Sequence, residues 1–137
     1  MHRLKISIQG VLLGACASVS VAQDSMFDQI GYTALLERLG AATPTGAGIG
    51  IGQVEAPSGG AYGPDQANGE FAGVSFTAHS GTPGATSHAT TVGKNYYGAI
   101  TSTAPGVTDA HLFEANNFLN TGYLNYGTSS LPSSPPF

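Results

Sequence analysis

Glycine and proline constrain this chain more than any other feature of its sequence. Twenty Gly and eight Pro fall among 137 residues, so about a fifth of the positions break regular structure, short of the roughly 25–30% that marks a low-complexity chain. The length has room for one domain and not for two. With 41% hydrophobic residues, six Phe, six Tyr and a mean hydropathy of +0.04, there is apolar material for a core. Charge is sparse: 4 Lys and Arg stand against 8 Asp and Glu. No basic surface is left to neutralise phosphates, which excludes nucleic acid as a partner, and no polybasic patch faces a membrane.

Residues 1–22 read as an export signal. Met1-His2-Arg3-Leu4-Lys5 is a basic start, Ile6 to Ala17 is an apolar run of signal length, and Ser20-Val21-Ala22 offers small residues to a signal peptidase. Cleavage after Ala22 leaves Arg38 and Lys94 as the basic residues against all eight acids, so the mature chain is acidic and is expected to be secreted, periplasmic or extracellular. A membrane span needs about 20 unbroken apolar residues. Here Gln9, Gly10, Gly14, Ser18 and Ser20 interrupt the run, and no span is expected. The sole cysteine, Cys16 in Leu13-Gly14-Ala15-Cys16, also fits a lipoprotein box, which would acylate it; either way the folded part has no disulfide.

Domain organisation follows as 1–22 signal, 23–117 folded domain and 118–137 Ser/Pro-rich tail, expected to be disordered. Asp24 or Ser25 caps a helix carrying Phe27, Ile30, Leu35, Leu36 and Leu39 and ending at Gly40, with Gly31 weakening its first turn. Ile49 to Val54 reads as a buried strand with Glu55 at its C-terminal end. A short strand is expected over Phe71–Ala78, then a helix from His88 to about Tyr97, capped by Ser87 and carrying Val92 and Tyr96 on one face. Thr108 to Ala115 alternates as a strand. Strands separated by helices pair in parallel, so the fold class is α/β with a partial parallel sheet and Gly/Pro-rich loops.

Three segments carry a resemblance. Gly46-Ala-Gly-Ile-Gly-Ile-Gly-Gln-Val-Glu55 resembles the strand that ends in the acidic triad member of subtilisin-like serine peptidases (subtilases). Ser87-His-Ala-Thr-Thr-Val-Gly93 is similar to their histidine motif, His-Gly-Thr-His-Val-Ala-Gly, and Ala104-Pro105-Gly106-Val107 resembles the turn after the histidine helix. His88, Thr90 and Val92 match that motif, whereas Ala89, Thr91 and Lys94 depart from the family's Gly, His and Gly. Acid before histidine is the family's chain order. The likeness spans about residues 46–115 and implies the N-terminal part of a three-layer subtilisin-like domain.

The chemistry implied is acyl transfer from a polypeptide substrate. A serine hydroxyl needs an imidazole to take its proton, and the imidazole needs a buried acceptor on its other nitrogen. The resemblance gives His88 the role of base and Glu55 that of its holder. Glu adds a methylene to the family's Asp while keeping charge and acceptor. Read without the resemblance, Glu55 is a solvated loop carboxylate and His88 an ordinary helix-start histidine. Gly127-Thr128-Ser129-Ser130 mimics the family's nucleophile motif, but Pro132 follows and no helix-forming run does, so Ser129 and Ser130 are read as tail serines. The serine-bearing half is thus missing from this reading; a fragment of a longer gene, without activity alone, is expected. A non-catalytic exported module that binds peptide or protein and a Gly-rich surface protein are the other readings. His79 and His111, with Glu55, Asp109 or Glu114, lack the paired spacing of zinc ligands, so neither metal nor cofactor is expected.

Overall fold

The structure is a computed structural model and describes residues 25–134. The export segment with Cys16, and Asp24 as a helix cap, lie outside the described residues. Three strands, β1 (Gly50–Glu55), β2 (Ser75–Ala78) and β3 (Asp109–Glu114), form one parallel sheet in the order β1-β3-β2. Gly50 pairs with Asp109 and Glu55 with Glu114 along one side of β3, and Ser75 to Ala78 pair with Asp109 to Leu112 along the other. The chain is therefore of the α/β class.

Before the sheet come two short helices where one is expected, α1 (Met26–Gln29) and α2 (Tyr32–Leu39). Gly31 divides them because its φ of 77° is left-handed, a conformation glycine takes without a Cβ clash. Ser25 caps α1 in a reciprocal box with Asp28. The strand expected from Phe71 begins only at Ser75. Asn68 accepts the Glu70 amide and opens a 3-10 turn over Gly69–Phe71, and Gly73 at φ 88° turns the backbone again before β2 starts. Phe71 thereby points into the core instead of lying along a strand.

Helix α3 (Ser87–Tyr97) begins one residue earlier than expected, with Thr86 rather than Ser87 as its cap: the Thr86 hydroxyl accepts the Ala89 amide at 3.0 Å. Its buried face is not the one that carries Val92 and Tyr96. Ala89, Gly93 and Tyr97 are buried, whereas Val92 and Tyr96 are exposed. Small residues at 89 and 93 let the helix approach closely; a Cβ on Gly93 would lie 2.8 Å from the Tyr97 hydroxyl and 2.9 Å from the Phe71 ring.

Strand alternation then sorts the sheet into two faces. Ile51 and Ala110 join Phe71, Tyr97 and Val107 in the core on the α3 side, and Phe76 packs edge-on against Phe71 at 5.6 Å. On the opposite face Phe113 meets Phe118 and Tyr123, each at 5.2 Å. Phe118 belongs to a π-helical turn, Asn117–Gly122, that covers this side of β3, and Tyr123 follows directly after it. The segment beyond it is tied back by the Tyr126 amide on the Leu119 carbonyl and the Ser133 amide on the Tyr123 carbonyl.

Candidate functional site

Glu55 ends β1 and His88 lies in the first turn of α3, which puts both at the C-terminal edge of the sheet, where α/β proteins build sites. A Glu55 carboxylate oxygen, Oε2, stands 3.5 Å from His88 Nε2. The two side chains differ sharply in exposure, 8% for Glu55 and 78% for His88. Glu55 is thus a buried strand-end carboxylate and not a solvated loop residue. The imidazole reaches out to solvent while its Nε2 edge meets the buried acid. A carboxylate at that distance favours a proton on Nε2 of the neutral ring, which leaves Nδ1 as the basic nitrogen.

Beneath the pair lies Gln53, which the sequence reading did not single out. It shares the buried face of β1 with Glu55 because residues two apart on a strand point the same way. Its Nε2 donates to Glu55 Oε1 at 2.8 Å and to the Ala89 carbonyl at 2.9 Å. Its Oε1 accepts from the Tyr97 hydroxyl. Burial, reinforced by the Glu55 charge, pushes the Tyr97 phenol far above its ordinary range, so it remains a donor. Period-two alternation could have found Gln53; nothing local in the sequence brings Tyr97 to it, since that contact depends on how closely α3 packs.

Neighbouring polar groups are committed elsewhere. Glu114 is the register partner of Glu55, yet its carboxylate accepts the amides of Asn116 at 3.0 Å and Asn117 at 2.8 Å. Those bonds, the Asn116 amide foremost, hold it below the usual carboxylate range. On the opposite face His79 Nε2 lies 2.7 Å from His111 Nδ1, and His111 Nε2 lies 3.3 Å from Asp109 Oδ2. Burial, then the nearby His111, lowers the His79 pKa. Among the described residues no group of three or more His, Cys, Asp and Glu side chains is placed to hold a metal ion. No helix there is long and apolar enough to cross a membrane.

Ser129 and Ser130 are exposed and belong to the segment tied to the π-helical turn, on the sheet face away from α3. The structure joins Glu55 to His88 and leaves these serines with the other face. Comparisons with protein-family models, curated proteins and solved structures found no match.

Proposed function

We propose that Glu55 and His88 are the acid and base of an exported subtilisin-like serine peptidase. One observation carries this reading: a buried carboxylate at the end of a parallel strand lies 3.5 Å from an exposed imidazole at the start of the next long helix. In such a pair His88 takes the proton of a serine hydroxyl as it attacks a peptide carbonyl and returns it to the leaving amine. Glu55 stabilises the imidazolium that forms between the two steps. The three-layer subtilisin-like architecture belongs to the same proposal, as does polypeptide as substrate.

A second reading has an observation of its own. β1 and β2 are both outer strands of the sheet, and an outer strand accepts an extended peptide by backbone pairing. A non-catalytic binding module would use that edge without needing His88.

Reading the gene onward from residue 137 separates the two. The peptidase reading expects a downstream Gly-Thr-Ser-x-Ala/Pro motif, and a fluorophosphonate that labels its serine in the expressed product. Changing His88 to Ala should slow that labelling by about a thousandfold or more. Absence of the motif in every frame, or labelling indifferent to His88→Ala, overturns the peptidase reading and leaves the binding module.

A further inference from the structure

Resting on the Glu55–His88 reading above, we infer that Gln53 and Tyr97 are positioning residues: a buried Tyr–Gln–Glu chain that fixes the Glu55 carboxylate and, through it, the tautomer of His88. The argument begins with donor arithmetic. A glutamine amide has two N–H donors and one carbonyl acceptor. Around Gln53, the Glu55 carboxylate and the Ala89 carbonyl are acceptors, and both lie within 2.9 Å of Nε2. The remaining neighbour, Tyr97, supplies a hydroxyl donor to Oε1. Turning the amide over would set its carbonyl against two acceptors, so only one orientation satisfies all three partners.

That orientation has a consequence for the acid. Glu has one more rotatable bond than Asp, and a carboxylate on a longer arm needs something to select its rotamer. Gln53 grips Oε1, and this leaves Oε2 on the His88 side. Because the amide also holds the Ala89 carbonyl, one residue after His88, a single side chain ties strand end and helix start together. No buried side-chain nitrogen or oxygen among the described residues lacks a partner, so the chain is closed at both ends.

Ring 15N shifts of His88 test this in the full chain at alkaline pH, where imidazole is neutral and the shifts report which nitrogen carries the proton. Glu55→Met removes the acceptor and sets the scale. Gln53→Met and Tyr97→Phe should each move the shifts by about half or more of the Glu55→Met change. Phe118→Ala, on the other face of the sheet, should leave them in place. If Gln53→Met fails to fold, Tyr97→Phe, which deletes only the hydroxyl, carries the test. Wild-type shifts in Gln53→Met and Tyr97→Phe, or an equal change in Phe118→Ala, would overturn the positioning role while the acid–base pair stands. If Glu55→Met itself changes nothing, the pair fails, and the positioning role with it.

Discussion

At residue scale, glycine acts here by what it omits. Gly93 faces both Tyr97 and Phe71, with space for hydrogen and not for a methyl group. Replacing it with Ala favours the helix by up to about 1 kcal/mol, but overpacking a filled site costs about 1–3 kcal/mol. The steric effect should win. Gly93→Ala is expected to lower stability by roughly 1–2 kcal/mol in a denaturant titration and to shift the Tyr97 signals. Glu70 works by the opposite means. Its carboxylate accepts the Thr101 hydroxyl at 2.7 Å and the Ile100 amide at 2.8 Å, joining the 3-10 turn to the loop after α3. Those bonds, the Thr101 hydroxyl foremost, hold it below the usual carboxylate range. Glu70→Gln should lower the thermal midpoint and abolish part of the acid sensitivity below about pH 4.5. In the sequence, the strand end at Glu55 and the helix start near His88 were legible because both are local signals. Gln53 was readable in face but not in role, and Glu70 not at all, since its partners are about thirty residues away.

At the scale of elements, order and parallel pairing were legible because hydrophobic runs and turn residues alternate plainly along the chain. Ends and faces were less so. The break at Gly31 required a left-handed φ that no periodicity encodes, and the apolar pair Val92 and Tyr96, though on one face, does not mark the buried side of α3. What buries a helix face here is closeness of approach, which favours Ala89 and Gly93 over larger residues. The pairing of β2 with β3 sets up a pH response. His79 follows β2, His111 lies on β3, and burial first, then the neighbouring imidazole, lowers the folded-state pKa of His79. The unfolded chain therefore binds its proton first. Stability from this group is full above about pH 6.5 and is lost as pH falls through the lowered folded value. Thermal midpoints should decline between pH 7 and 5, and His79→Phe, which keeps a flat ring against Phe113, should flatten that slope.

For the whole molecule, the two faces of the sheet keep the Glu55–His88 pair apart from the tail serines. The Glu55–His88 pair sits with α3 on one side, and the segment carrying Ser129 and Ser130 is tied to the turn on the other. A nucleophile has to lie within about 3 Å of its base and beside oxyanion donors on a rigid element. The purified chain is accordingly expected to show no peptidase turnover, with Ser129→Ala and Ser130→Ala both silent. Phosphonate labelling of either serine that disappears in His88→Ala would refute this.

The sheet order also sets a timetable for synthesis. β1 and β2 do not pair with each other; each pairs with β3, the last of the three to leave the ribosome. A nascent chain ending before Asp109 holds two strands with no neighbour and no way to choose a register. Such long-range pairing delays folding, because loop closure precedes any reward from the contacts. β3, which carries neither Glu55 nor His88, is thus the strand whose arrival gives β1, and Glu55 at its end, a fixed register.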